Sequence, residues 1–489
     1  SAALAPAVLG RYALTTAVIG AAVAAGASAV GAAAAWLVVM HRFPGREVFS
    51  WALALPLAAP AFALAYSYAD LFDAAGPLRI WARSTLGFDL PFEMRTLPGA
   101  VFVLICALTP YVYLTARQAF LSQSVCALEA ARTLGAGPWT RVRRVALPLA
   151  WPAVAAGAAL ALMETLADYG AVHFLGVQTL TTGVVRAWSA YGAPGEAARL
   201  ALLLLGAAAV LLWFERTVRQ GRGFAAASAR TRPLQPTPLK PLAGWAASAF
   251  CLLLLTAGLL LPAGWLAVKA AAAAPEPDRL ARAALHSLTL AAGGAGLTVA
   301  LAVALAAGSR RLPMLARVAS LGYATPGAVM AIGLLAPAGW LWRGVEGAAA
   351  ASGVAIALLL LAYAARLMAA ALEPIDAGLQ RVTPSMDRAA RMLGESEAGA
   401  LRRVHAPLAR GALLTAALLV GVDVLKELPA TLILRPFDFD TLAVLADNYA
   451  ADERLGQAAW PALLVVLVAL PAVVLLSRRV GASRPGARA

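Results

Sequence analysis

The chain has 489 residues, 61% of them hydrophobic, with a mean hydropathy of +0.76 and only 13% charged. A soluble protein this apolar could not cover its surface, and its charged share is about half that of an ordinary soluble domain. A cytosolic enzyme is thereby disfavoured and an integral membrane protein expected. Lys and Arg number 40 against 25 Asp and Glu, a net +15, which fits either a nucleic-acid partner or charge sorted across a bilayer.

Ala and Leu supply most of the bulk, which favours spanning helices over the short alternating strands and aromatic girdles of a spanning barrel. A helix crossing the hydrocarbon core needs roughly 20 apolar residues. In chain order such runs fall near 13–40, 50–70, 98–118, 151–168 and 197–214. After a gap they resume at 243–268, 283–308, 318–340, 353–372, 411–428 and 458–476, giving eleven spans. Alternating the loops sorts the charges. The set 41–49, 115–150, 215–242, 309–317, 366–410 and 477–489 carries 27 basic and 8 acidic residues. The opposite set carries 11 basic and 15 acidic residues. The basic set is cytoplasmic by the positive-inside rule, so +19 faces inward and −4 outward, and a nucleic-acid partner is not expected.

The chain repeats itself. Pro98-Gly99-Ala100-Val101 recurs as Pro326-Gly327-Ala328-Val329, and Ala130-Ala131-Arg132-Thr133-Leu134-Gly135 as Ala389-Ala390-Arg391-Met392-Leu393-Gly394. Both longer motifs fall in cytoplasmic loops, so the repeat is parallel and needs an even number of spans per half. The expected fold is an all-α polytopic membrane protein of two halves of about six helices each. Only five spans precede the linker, so a further helix is expected before Ser1. The expected boundaries are a first membrane domain 1–214 with its inner loop at 119–150 and a basic, Pro-rich linker 215–242. A second domain 243–477 follows, with its loop at 374–408, and then a basic tail 478–489.

The first inner loop reads Glu129-Ala130-Ala131, three residues, Gly135, nine residues, Val145, one residue, Leu147-Pro148. Small Ala130 and Ala131 let a partner surface approach the helix, and Gly135 permits the turn that ends it. The pattern resembles the EAA signature of ABC importer permeases. The second copy, Asp387-Arg388-Ala389-Ala390 with Gly394, Val404 and Ala406-Pro407, departs from it, because Arg388 stands where the Glu should be. The resemblance implies that Glu129, Ala130, Ala131, Leu134 and Gly135, with Asp387, Ala389, Ala390, Leu393 and Gly394, dock a dimer of ATPase subunits. That ATPase is expected on a separate chain. A P-loop needs Lys followed by Ser or Thr, whereas Lys240, Lys269 and Lys426 are followed by Pro, Ala and Glu.

The stretches Ala167-Asp168-Tyr169-Gly170 to Arg186-Ala187-Trp188, and Lys426-Glu427-Leu428-Pro429 to Leu442-Ala443, look like the fused permeases of ferric iron importers. This implies an inner-membrane subunit with a cytoplasmic C-terminus, fed by an extracytoplasmic binding protein. Thiamine permeases share the fused plan and remain an alternative. An ion-coupled secondary transporter would explain buried acids but not two docking loops. Glu164 and Asp168 are spaced i, i+4, as are Asp423 and Glu427, and one offset of 259 residues relates the pairs. Asp168 lies about 26 Å along the helix from Trp151 at about 1.5 Å per residue, near the outer mouth. Intramembrane acids mark ion pathways, and a hard cation prefers oxygen ligands. The four acids are therefore expected to line the substrate path, with Lys426 able to neutralise Asp423. Three scattered cysteines and four scattered histidines form no metal-ligand pattern, so no stably held metal, no cofactor and no catalytic residue is expected.

Overall fold

The computed structural model describes residues 6–89, 91–122, 133–135, 137–220, 236–309, 322, 325–342, 347–379, 386, 392, 394, 396, 399 and 406–482. These residues are overwhelmingly helical, as an Ala- and Leu-rich chain requires when every backbone polar group must be satisfied inside lipid. The helices are α1 (Pro6–Met40), α2 (Arg46–Ala52), α3 (Ala61–Phe72), α4 (Pro77–Leu86), α5 (Leu97–Ser122) and α6 (Leu147–Ala167). Next come α7 (Gly170–Phe174), α8 (Leu180–Ser189), α9 (Pro194–Gln220), α10 (Pro241–Leu255), α11 (Leu261–Ala272) and α12 (Pro277–Ser309). The remainder are α13 (Gly327–Trp342), α14 (Ala348–Leu379), α15 (Ala406–Lys426), α16 (Pro429–Leu434), α17 (Leu442–Ala451) and α18 (Leu455–Ala482).

Among the described residues nine helices are long and apolar enough to cross a membrane, and each coincides with one of the expected runs. The expected span 50–70 is instead bent by 90° between Arg46–Ala58 and Ala61–Leu86. The cause is local: Pro56 and Pro60 cannot donate to a helical ladder, and Ala59, preceding Pro60, is driven to extended φ −91°, ψ 120°. The expected run 318–340 is represented by the shorter α13, with most of 318–326 outside the described residues.

The chain forms two compact units, Ser1–Pro275 with Ala446–Ala489, and Glu276–Leu445. These units are not cut at the sequence halves. In the first unit α11 packs along α18 and against α3. Trp265 Nε1 donates to Asp70 Oδ2 at 2.7 Å, Lys269 Nζ pairs with the same oxygen at 2.8 Å, and Tyr68 donates to the Ala257 carbonyl at 2.7 Å. These are strong reasons for the linker-distal helices to stay on the first half, since buried polar groups are satisfied only there. The centre of this unit is α1 against α5 and α6. Small residues let the backbones close: a Cβ on Gly31 would meet the backbone of Tyr113 at 3.0 Å, and one on Gly157 the Cα of Val112 at 2.7 Å. His41–Arg42 and Thr237–Pro238 form a two-residue parallel pairing, β1 with β2, so the far end of the linker is hydrogen-bonded to the loop after α1.

The second unit is built on α12, α14 and α15, each packed on the other two. On α12 a Cβ at Gly294 would meet Val424 at 3.2 Å and Tyr363 at 3.5 Å, so the absence of a side chain there lets α14 and α15 close on α12. The repeat found in sequence carries through locally. Helices α6 and α15 have 21 residues each. The offset of 259 carries Leu147 to Ala406 and Ala167 to Lys426, and the short α7 is matched by α16 in the same register.

Candidate substrate path and docking loops

In the first unit α6 ends at Ala167, and Asp168 takes an extended conformation beyond it. Asp168 therefore leaves the helix face that its spacing from Glu164 implies. Its Oδ1 instead accepts from the Val172 N–H at 3.1 Å and caps α7. Asp168 stands one residue past the span, and burial pushes its carboxyl up to about 7. The Val172 and Ala171 N–H groups oppose that rise and Glu164 adds to it. No basic side chain is paired with Asp168 among the described residues.

The second unit repeats the backbone but not the charge. Here α15 ends at Lys426, and Glu427 Oε1 accepts from the Ala430 N–H at 3.2 Å, capping α16. Glu427 is buried and ion-paired with Arg366 of α14. Asp423 pairs with Lys426 at 3.1 Å, the neutralisation that their i+3 spacing allows. Tyr363 shares a hydrogen bond of 2.6 Å with Thr431, which fastens α14 to α16 beside the Glu427 pair.

Two residues of the first unit lie beyond the sequence reading, Tyr66 on α3 and Asp447 on α17. The Tyr66 ring is buried edge-on to Phe174, centroids 4.5 Å apart. Its hydroxyl faces the Asp447 carboxylate without a well-formed hydrogen bond, and Asp168 and Tyr169 are its further electrostatic neighbours. Burial pushes the Asp447 carboxyl up to about 6, with the Tyr66 hydroxyl opposing. Tyr169 stacks on His173 at 4.8 Å. Tyr169 and Tyr449 are both buried. Nothing in the local sequence connects Tyr66 with Asp447, because they come from opposite ends of the chain.

Of the docking residues, Leu134, Gly135 and Gly394 are described, whereas Glu129, Ala130, Ala131, Asp387, Ala389, Ala390 and Leu393 lie outside the described residues. Gly135 and Gly394 both take the left-handed conformation, with φ of 80° and 84°. Only glycine adopts this readily, and it is the conformation that ends a helix. Leu134 is 86% exposed and Met392 89% exposed, so each loop presents a large apolar side chain beside its glycine. After the first loop a one-turn helix, Pro138–Arg141, and a π-helical stretch, Val142–Ala146, lead into α6 with Pro148 in its first turn.

Among the described residues no three His, Cys, Asp or Glu side chains are grouped to hold a metal. His41 Nδ1 lies 3.1 Å from the Thr237 hydroxyl, and His286 Nδ1 lies 3.0 Å from the Asp440 carbonyl with its ring stacked on Phe439. Both are structural positions. Cys106 and Cys251 are free thiols, and Cys126 and His405 lie outside the described residues.

Comparison with known proteins gives a consistent picture. The binding-protein-dependent transport system inner membrane component matches twice, at residues 27–220 and 296–488. The iron(III)-transport system permease protein FbpB 2 of Haemophilus influenzae is 24% identical over 93% of this chain and 87% of its own length. The sulfate transport system permease protein CysT of Escherichia coli is 33% identical over 29% of this chain and 50% of its own length. A Salmonella choleraesuis permease named for 2-aminoethylphosphonate transport is 30% identical over 32% of this chain. The chain spans 56% of that relative and 50% of the sulfate permease, about half the length of these curated relatives. With two copies of the family's domain covering most of its length, the chain belongs to the binding-protein-dependent transport system inner membrane components.

Proposed function

We propose that this chain is a two-domain permease subunit of a ferric iron importer. The observation that carries the reading is the correspondence with the iron(III) permease relative across 93% of the chain, both halves included. The sulfate and phosphonate permeases match over about a third of it. The acids of the first unit support the same direction. Asp168, Asp447 and the Tyr66 hydroxyl are oxygen donors of the kind a hard cation prefers, and Asp168 has no basic partner among the described residues.

In this reading Glu164, Asp168, Asp423 and Glu427 belong to the outer part of the substrate path, with Glu427 fixed by Arg366 as a support. An extracytoplasmic binding protein delivers the cation to the loops 70–97, 168–196 and 427–457. Because the outer loops carry a net −4, its docking rim is expected to be basic. Two copies of a separate ATPase grip the inner loops through Leu134, Gly135 and Gly394 and their neighbours, with the C-terminus on the same cytoplasmic side. ATP-driven closure opens the outer mouth, and hydrolysis resets it.

The test is uptake in cells lacking this gene. Radioactive iron accumulation should fall and return on complementation, while sulfate, molybdate, 2-aminoethylphosphonate and thiamine uptake stay unchanged. Loss of one of those solutes with iron uptake intact would replace the assignment. Iron uptake that survives deletion of the ATPase gene would favour an ion-coupled carrier.

A further inference from the structure

The inner end of the first unit holds a cavity that the transport reading does not use. It is lined by Val38 and Val39 of α1, by Arg46, Glu47 and Ser50 of α2, and by Arg117 of α5. Its volume is about 170 Å³, well beyond the space one water needs. Arg117 is only 8% exposed, and its Nη1 has no hydrogen-bond partner among the described residues. A guanidinium taken out of water without an anion is costly, so such groups are found paired. Arg46 brings a second guanidinium to the wall, held there by its Nε donating to the Val38 carbonyl at 2.7 Å. Among the described lining residues Glu47 is the one carboxylate against two guanidinium groups, a net positive charge.

The depth of the cavity narrows the ligand. Helix α1 ends at Met40, and Arg46 opens α2 within the stretch 41–49 of the basic, inward-facing set. Trp51 lies under the Arg478 guanidinium at 4.9 Å, and Trp36 sits edge-on to His41 at 6.1 Å. Indole rings beside basic residues mark the level of lipid headgroups. The planar fork of a guanidinium matches tetrahedral phosphate oxygens two at a time, and the Ser50 hydroxyl adds a further polar group to the wall.

We propose that this cavity is a phosphate-binding site, taking either the headgroup phosphate of an anionic inner-leaflet lipid or free phosphate from the cytoplasm. Arg117 is its anchor, and Arg46 and Ser50 complete it. Helix α5 continues past Arg117 to Ser122, inside the inner loop that begins at 119. A bound phosphate would therefore brace the root of that loop.

The test uses the intact permease purified with its ATPase subunits in nanodiscs. One arm uses discs of phosphatidylcholine and phosphatidylglycerol at four to one, with retained lipid counted by native mass spectrometry. The other uses phosphatidylcholine discs titrated with radioactive inorganic phosphate. Wild type should retain phosphatidylglycerol in the first arm or bind phosphate in the second, and the arm that responds identifies the source. Arg117→Met should weaken that binding roughly tenfold or more, as expected for losing a charged hydrogen-bonding partner. Arg117→Lys should fall between, and Ser50→Ala, which keeps the charge and serves if Arg117→Met does not fold, should weaken it a few-fold. Glu47→Gln should tighten it by removing a repelling carboxylate. The proposal is overturned if wild type binds neither probe, or if Arg117→Lys and Ser50→Ala both bind like wild type. It is equally overturned if Glu47→Gln abolishes folding as Arg117→Met does, for Glu47 is then the counter-charge.

Discussion

The two units carry the same helix–carboxylate–helix device and load it differently. In each, a 21-residue helix ends one residue before a carboxylate that caps the following short helix, Asp168 over α7 and Glu427 over α16. Glu427 is locked to Arg366, whereas Asp168 is left with backbone N–H groups and a raised pKa. A duplicated backbone has thus kept its shape through cap hydrogen bonds, while the long-range partner decides whether the acid is scaffold or a charge held ready.

The sharpest way to break this contrast is to remove Arg366. The Arg366→Ala variant leaves Glu427 buried and uncompensated, and breaking a buried pair on one side costs about 3–5 kcal/mol. Thermal unfolding of the purified complex should show a large loss of stability, and Asp168→Asn should show little. Equal losses would mean that the two carboxylates do the same structural work. Next in size is the effect on transport: Glu164→Gln combined with Asp423→Asn should lower iron uptake several-fold with the assembled complex intact by size exclusion. Unchanged uptake would remove both acids from the path. A third measurement uses pH. Asp168 is neutral below its raised pKa of about 7 and charged above it. Cation delivery should therefore rise between pH 6 and pH 8 relative to Asp168→Asn measured at the same pH, and a constant ratio would show that Asp168 does not meet the substrate. The smallest effect is expected at Lys426. Its pair with Asp423 is spaced i, i+3 and partly solvated, so Lys426→Met should cost about 1 kcal/mol or less. A larger loss would put the Asp423 pair on a par with the Glu427 pair.

What could be read from the sequence follows the range of the interactions. The offset of 259 located matching helices because repeats preserve local pattern, and Lys426 was visible beside Asp423 because i, i+3 is a helical neighbour. Arg366 stands 61 residues from Glu427, and no periodicity links them. Tyr66 and Asp447 meet only because α17 and α18 return to the first half. The bend at 50–70 was written in Pro56 and Pro60, whose effect on the preceding residue outweighs the apolar run around them. Gly135 and Gly394 take the left-handed conformation that a helix-ending turn needs, and such a turn is a local event that sequence can carry.

The short pairing of His41–Arg42 with Thr237–Pro238 alters what the linker does. A covalent tether sets the effective concentration of the parts it joins. Here, however, the tether's far end is already fastened, and α10, α11 and α18 belong to the same compact unit as α1 to α9. Covalent continuity through 221–235 is therefore redundant for holding these helices together. A chain cut there should purify as two pieces that travel as one, as a gene split at the linker would produce.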